Sequence, residues 1–340
     1  MIQASLEKVR RGATLERSEI QGVIREIMQG EGADADVEVL LTLLHARGET
    51  LEEVVGAAQA MRELALPLPE APPHAIDTCG TGGGGPSTFN ISTLAALVVA
   101  GTGVPVAKHG NRAATSRCGS ADVLEALGVR LDIAPERMAE SVDRVGFGFL
   151  FARVCHPAMA RVAPIRARLG TPTIFNRLGP LTNPMRVRRQ LVGVTDVSLC
   201  EPTLAALVEL GAEVAWVVHA RDGLDEASTC ELSEFWIYAN GSRGRLDVRP
   251  GELLPAARLE DLEGGDAASN AEIAQRVLAG ESGPRRDVVL LNAAAGLCVA
   301  GCSATLAQGL EQARKAIDSG AARQVLERWI AFCAQEAASA

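Results

Sequence analysis

The first 65 residues place apolar side chains at helical spacing. Ile20, Val23, Ile24, Ile27 and Met28 follow the i, i+3, i+4, i+7, i+8 pattern of one buried face, and Ser18 with Gln21 reads as a capping box ahead of them. Val37 to Arg47 predicts a second helix that Asp34 or Asp36 can cap and Gly48 can end. Thr50 with Glu53 forms another capping box, for a helix to about Leu64. Pro67, Pro69, Pro72 and Pro73 cannot continue a helix and mark a linker. Beyond it, short apolar runs alternate with glycine turns and helical stretches. Ala75 to Cys79, Val104 to Lys108, Gln190 to Thr195, Val214 to His219 and Val288 to Asn292 read as buried strands. Ser92 to Ala100, Ser120 to Leu127 and Glu201 to Leu210 read as helices between them. Strands alternating with helices predict an α/β fold, with a mostly parallel central sheet covered by helices on both faces. Two helices, Ala304 to Ile317 and Ala321 to Ala334, close the chain, with Ser319 as a cap for the second. Residues 240–285 are polar and yield no element.

Composition narrows the class. At 340 residues the length suits about two domains. With 47% apolar and 22% charged residues a core is available and global disorder is excluded. Aromatics are only 3%, so packing rests on Ala, Leu, Val and Ile. A net charge of -9 argues against broad binding to nucleic acid or to an anionic membrane. Leu94 to Ala107 is the most apolar run, but Gly101, Gly103 and Pro105 interrupt it and it is too short to span a bilayer. Charges at Glu7, Arg10, Arg11, Glu16 and Arg17 exclude a signal peptide over residues 1–30. The eight cysteines form no CxxC pair and no zinc-type cluster, which suits a reduced, cytoplasmic protein. Cys298 and Cys302 read as packing residues, His45 and His74 as structural or exposed.

Three loops carry candidate chemistry. Gly80-Thr81-Gly82-Gly83-Gly84-Gly85 follows a strand, and Asn90-Ile91-Ser92-Thr93 opens the next helix. Glycines admit a ligand close to the backbone, and a helix start offers unpaired N–H groups, which together suit a phosphate. Neither a P-loop nor a dinucleotide fingerprint is present. Lys108-His109-Gly110-Asn111-Arg112 lies past the next strand's C-terminal end, where open α/β sheets bind ligands, and Thr115, Ser116 and Ser120 add hydroxyls for a second phosphate cradle. Asp222-Gly223-Leu224-Asp225-Glu226 follows a further buried strand, and paired carboxylates there suit Mg²⁺ bridging to substrate phosphates. His156-Pro157-Ala158-Met159 leads into a helix with Arg161, Arg166 and Arg168, where an arginine can clamp a carboxylate. Arg161 and Arg168 read as surface residues, and so do Arg186, Arg188 and Arg189.

In family order, the segments D77-TCGTGGGG, N90-IST, K108-HGNR, S120-ADVLEALG, H156-PAM through Arg166, F175-NRLGPLTNP and D222-GLDE closely resemble the anthranilate phosphoribosyltransferase family. The resemblance implies a small N-terminal helical domain, residues 1–72, hinged to a larger α/β domain, residues 73–340, with the segment of about 160–188 packing against the former. It implies a cytoplasmic homodimer that uses Mg²⁺ to transfer phosphoribose from 5-phosphoribosyl 1-diphosphate to anthranilate. Carried over by position, Gly80, Gly83, Gly84, Thr88, Asn90, Ile91, Ser92, Thr93, Lys108, Ser116 and Ser120 would line the phosphoribosyl diphosphate site. Gly80, His109, Asn111, His156, Arg166 and Pro180 would meet anthranilate. Ser92, Asp225 and Glu226 would be metal ligands, and Lys108, Asn111 and Arg166 the catalytic set. The chain departs from the family at Gly84, where an aspartate is usual, and at Cys155, where an aromatic is common. A pyrimidine nucleoside phosphorylase would carry a different lysine/serine signature after the glycine loop. A nucleic-acid-binding relative would be basic and would have lost the KHGNR and DE motifs, which this chain keeps.

Overall fold

A computed structural model of the chain describes residues 1–82, 85–113 and 117–335. Four helices precede the proline linker: α1 (Ile2–Arg10), α2 (Arg17–Gln29), α3 (Asp34–Arg47) and α4 (Leu51–Leu64). The caps are partly those expected. Thr50 and Glu53 start α4 as a reciprocal box, at 3.3 Å for the Glu53 N–H and 2.8 Å for the Thr50 N–H. The same Glu53 carboxylate, fully buried, accepts from the Leu15 N–H at 2.8 Å and from Arg47, so one side chain ties α4 to α3 and to the α1–α2 connection. Helix α2 begins earlier than Ser18 and Gln21 imply: the Glu19 carboxylate accepts from the Glu16 N–H at 2.7 Å, and Ser18 is already inside the first turn. Asp34 and Asp36 lie within the first turn of α3 and do not cap it, a position where negative charge still favours the helix start.

Past the linker come β1 (Ile76–Gly80), α5 (Ile91–Gly101), β2 (Val106–Gly110), α6 (Ser120–Ala126), α7 (Pro135–Val145) and β3 (Phe147–Phe151). The short α8 (Ala152–Cys155), α9 (Met159–Leu169) and α10 (Phe175–Leu178) lead to β4 (Arg189–Gly193), α11 (Cys200–Glu209) and β5 (Val214–Ala220). The hairpin β6 (Ser233–Ala239) and β7 (Ser242–Val248) follows, then α12 (Ala267–Leu278), α13 (Pro284–Ala300), α14 (Leu306–Asp318) and α15 (Ala321–Ala334).

The seven strands form one sheet in the order β3-β2-β1-β4-β5-β6-β7, parallel from β3 to β5 and antiparallel at β6 and β7. From β1 the chain first builds outward through β2 and β3, then returns to place β4 on the other side. That reversal leaves a crevice at the C-terminal ends of β1 and β4, the usual ligand position in an open α/β sheet. Strand residues alternate between two cores, as a pleat requires. Leu191 and Val218 join α5, α13 and α15 on one face, while Val192 and Val217 join α11 on the other. The second core continues without a break into α2 and α4 and includes Val162, Ile165, Phe175 and Leu178 from the 160–188 segment.

Several expectations need correction. Val288 to Asn292 is not a strand but part of α13, where every residue from Val288 to Leu297 is buried. With no solvent face, a buried helix shows no 3.6-residue period and resembles a buried strand. The polar stretch 240–285 holds β7 and α12, and the Asn240-Gly241 pair between β6 and β7 has positive φ at both residues (51° and 74°), as a tight hairpin turn requires. Gly320, rather than Ser319, is the N-cap of α15. Cys302 is exposed beyond the end of α13 and does not pack. Among the described residues no helix is long and apolar enough to cross a membrane.

Candidate active site

The site begins where two neighbouring strands part. Strand β1 pairs with β4 along its whole length but with β2 only at Ile76 and Val106. Side chains bridge the resulting gap. The Asp77 carboxylate accepts from the His109 N–H at 3.1 Å and from Asn183 Nδ2 at 2.9 Å. Asn183 Nδ2 also donates to the Ala107 carbonyl at 2.8 Å, and its Oδ1 accepts from the Met185 N–H at 3.0 Å. Lys108 Nζ donates to the Thr78 carbonyl and lies 3.4 Å from Ser92 Oγ. Lys108 is 2% exposed and Asp77 0%, so both charges stand in a low-dielectric interior. Burial pushes the Lys108 ammonium down from its ordinary range, and Asp77 is the main group opposing that fall. Burial pushes the Asp77 carboxyl up to about 6, against the pull of Lys108, which still leaves it ionised at neutral pH. Each charge keeps the other in place.

Strand β5 brings the acidic loop to the same edge. Asp225 accepts from the Gly82 N–H at 3.0 Å, and Glu226 accepts from the Ser92 N–H at 3.1 Å at the start of α5. Ser92, Asp225 and Glu226 line one small cavity with Thr78, Cys79 and Asn292. Close approach here depends on glycine: a Cβ on Gly80 would lie 2.2 Å from Asp225 Oδ2. Burial and then the Asp225 charge push the Glu226 carboxyl well up from its ordinary value. Among the described residues no group of three or more His, Cys, Asp or Glu could hold a metal alone. Two adjacent carboxylates and a hydroxyl nonetheless fit Mg²⁺, a hard cation commonly bound by one or two carboxylates and completed by substrate phosphates. A divalent cation would also relieve the charge that disfavours ionised Glu226.

A second wall leaves β2 on the opposite face of the sheet, because His109 follows Lys108 directly along the strand. His109 Nδ1 is 3.1 Å from the Gly179 carbonyl and His156 Nε2 is 3.1 Å from the Thr182 carbonyl, with the rings 5.1 Å apart. Burial lowers His109 to about 3 and His156 to about 4, so both rings are neutral near pH 7. A neutral His109 that donates from Nδ1 keeps a lone pair on Nε2, which is buried and has no protein partner. Pro180 is buried in the adjoining loop, its carbonyl accepting from Gln190 Nε2 at 2.8 Å. Arg166 on α9 is half-buried, with one contact to Asn176 Oδ1 at 3.3 Å, and burial lowers its guanidinium from the ordinary value. Asn111 is exposed, and its side chain accepts from the Arg112 N–H at 2.8 Å.

The remaining candidates divide. Gly83, Gly84, Thr115 and Ser116 lie outside the described residues. Ser120 Oγ donates to the Asn111 carbonyl at 3.1 Å, which joins the start of α6 to the end of β2. Asn90 bonds Cys118 and Asn270, so its amide ties the loop at Cys118 to α12 and does not cap α5. Ile91 is fully buried and its N–H donates to the Phe89 carbonyl at 2.8 Å; this position supplies core packing, not a side-chain contact to ligand. Thr93 is buried with its hydroxyl unpartnered, and Thr88 pairs with Glu263 in an isolated bridge. Of the residues read as surface, Arg168 is ion-paired with Asp34 and Glu38 outside the site. Asp77, Asn183 and Asn292 carry no candidate role in the sequence, although Asp77 and Asn183 stand inside two of the motifs. Only a buried carboxylate opposite a buried amide, seen in three dimensions, reveals their work.

Models of a glycosyl transferase family match the chain in two parts, the helical bundle domain over residues 3–65 and the a/b domain over residues 72–323. The anthranilate phosphoribosyltransferase of Parvibaculum lavamentivorans is 49% identical over 327 residues, covering 96% of each chain. The crystal structure of anthranilate phosphoribosyltransferase from Thermus thermophilus superposes with a TM-score of 0.90 at 45% identity, covering 97% of this chain and 99% of that one. The solved structure of the Saccharomyces cerevisiae anthranilate phosphoribosyltransferase in complex with PRPP and Mg superposes with a TM-score of 0.88 at 28% identity, covering 98% of each.

Proposed function

The chain belongs to the anthranilate phosphoribosyltransferases of this glycosyl transferase family, and from that premise we propose that it transfers the phosphoribosyl group of 5-phosphoribosyl 1-diphosphate to the amine of anthranilate in tryptophan biosynthesis, releasing pyrophosphate. The observation that carries this reading is the meeting of Lys108, the α5 start and the Asp225–Glu226 pair at one sheet edge, with the His109–His156 wall reached from the same strand β2.

Departure of pyrophosphate leaves a ribosyl centre with oxocarbenium character, so the developing charge lies on the leaving diphosphate. Lys108 is fixed where that charge would form, and a fixed donor in a dry site is the most effective kind. Ser92, Asp225 and Glu226 would hold Mg²⁺, which when bound neutralises diphosphate charge. Gly80, Gly83, Gly84, Thr88, Ser116 and Ser120 surround the sugar and its phosphates in this reading. The amine of anthranilate is nucleophilic when neutral, so the second wall has to orient it. Arg166 pairs with the carboxylate, Asn111 turns from Arg112 toward the substrate, and His109 Nε2 accepts a hydrogen from the amine. Pro180 and His156 flank the ring.

Residues 1–72, with about 160–188 packed against them, form the unit that closes over the rest of the α/β domain and excludes water, a competing nucleophile. The enzyme functions as a cytoplasmic homodimer. The test is loss of anthranilate fluorescence on adding 5-phosphoribosyl 1-diphosphate. Consumption that requires Mg²⁺ and releases one pyrophosphate per anthranilate is expected. Unchanged fluorescence with both substrates and Mg²⁺ present would overturn the assignment.

A further inference from the structure

Asn292 lies in the middle of α13 and is 2% exposed. Its side chain makes three hydrogen bonds. Oδ1 accepts from the Ala227 N–H at 2.9 Å, while Nδ2 donates to the Ala227 carbonyl at 2.8 Å and to the Val288 carbonyl at 2.9 Å. One amide therefore satisfies both backbone polar groups of a single loop residue, the one directly after Glu226. A bidentate amide bracket of this kind fixes the position and the rotation of the segment, as a partner strand would. The loop is confined from the other side by β4. A Cβ on Gly193 would stand 1.4 Å from the Asp225 carbonyl oxygen, so the Asp225 backbone rests directly on a bare glycine. Asn292 lines the same cavity as Ser92, Asp225 and Glu226.

We propose that Asn292 is a positioning residue for the Asp225–Glu226 pair, setting where the two carboxylates stand toward a divalent cation without itself touching cation or substrate. The proposal rests on reading this edge as the Mg²⁺–diphosphate site. Outer partners that orient metal-binding groups affect metal affinity strongly when lost, by about 10–100-fold. A merely structural asparagine would instead lower thermal stability and leave cation binding unaltered.

The experiment is a Mn²⁺ titration followed by electron paramagnetic resonance, on the full chain with 5-phosphoribosyl 1-diphosphate present. Asn292→Leu keeps the branched shape of the side chain and removes all three bonds. Asn292→Asp keeps an acceptor for the Ala227 N–H and removes the donor to its carbonyl. For Asn292→Leu the Mn²⁺ dissociation constant should rise about 10–100-fold, with a smaller rise for Asn292→Asp. The KM for anthranilate should stay at the wild-type value in both. A folded variant with wild-type circular dichroism, a lower Tm and unchanged Mn²⁺ affinity would overturn the proposal. If Asn292→Leu does not fold, Asn292→Asp decides by the same criterion. Wild-type chain that binds no Mn²⁺ alongside 5-phosphoribosyl 1-diphosphate would refute the reading of the site, and this proposal with it.

Discussion

On the wall assigned to the diphosphate, the polar side chains are already held. Lys108 is braced by the Thr78 carbonyl and by Asp77, and Glu226 by the Ser92 N–H. On the wall assigned to anthranilate, Asn111 is exposed and turned to its own neighbour, and Arg166 is half-buried with a single long contact. The first wall sits on β2, the start of a buried helix and the loop after β5; the second shares β2 through the buried His109 but takes Asn111 from the loop after that strand and Arg166 from α9. The difference follows from the chemistry required. A leaving diphosphate needs fixed charge that does not reorganise during the reaction. An aromatic amine needs only orientation, which can be completed as the substrate binds.

Replacing Lys108 should do the most damage. Lys108→Ala removes a fixed, buried cation and should lower kcat by about 10²–10³-fold, as loss of one preorganised donor does elsewhere. A loss below about fivefold in steady-state kinetics would break the contrast between a preorganised and an adaptable wall.

Acid should expose the histidine wall next. Both rings stay neutral in the folded chain, near 3 for His109 and 4 for His156, against an ordinary 6.5. The unfolded chain takes up protons below pH 6.5 that the folded chain refuses, so stability falls as pH drops from 6.5 towards 4, by on the order of 3 kcal/mol per ring. Asp77 acts in the opposite sense. Its folded value of about 6 exceeds the ordinary 3.8, so the native state gains stability as pH falls through that window. Glu226, also raised by burial, acts on the same side as Asp77, so the rings' share is the acid-dependent loss of Tm that wild type shows relative to a variant lacking one ring. His156→Gln should flatten that dependence; an unchanged slope in calorimetry would show that the ring is not held neutral.

Arg166→Ala should chiefly raise KM for anthranilate, by about tenfold, with kcat little changed, because a residue that only positions substrate acts before and during the reaction alike. A retained KM with a large loss of kcat would contradict a positioning role. The smallest effect expected is at Gly84, where the family usually has aspartate. Gly84→Asp should shift the Mg²⁺ concentration giving maximal activity, and an identical Mg²⁺ profile would show that the missing carboxylate has no bearing on cation handling.

Much of this layout was legible in the chain itself. The Thr50/Glu53 box, the proline linker and the parallel strands β1, β2, β4 and β5 are local signals, with boundaries within about two residues. So were the loops that meet at the sheet edge, because a glycine run before a helix and charges after a strand announce ligand chemistry directly. What stayed hidden depends on context. Helix α13 hides because burial on all sides erases its period, and Asn292 is hidden with it. Asp77 looks like any polar residue in a strand until β1 and β2 are seen to part and Asn183 to fill the gap. The Asn240-Gly241 turn was present in the sequence and is a strong hairpin signal, masked by the polar residues around it.

Isothermal titration of 5-phosphoribosyl 1-diphosphate with Mg²⁺ into wild-type, Lys108→Ala and Arg166→Ala protein tests the division between the walls most directly. The division predicts at least about tenfold weaker binding for Lys108→Ala and a change within about twofold for Arg166→Ala, charge-assisted hydrogen bonds being the stronger class. Equal loss in the two variants would contradict it.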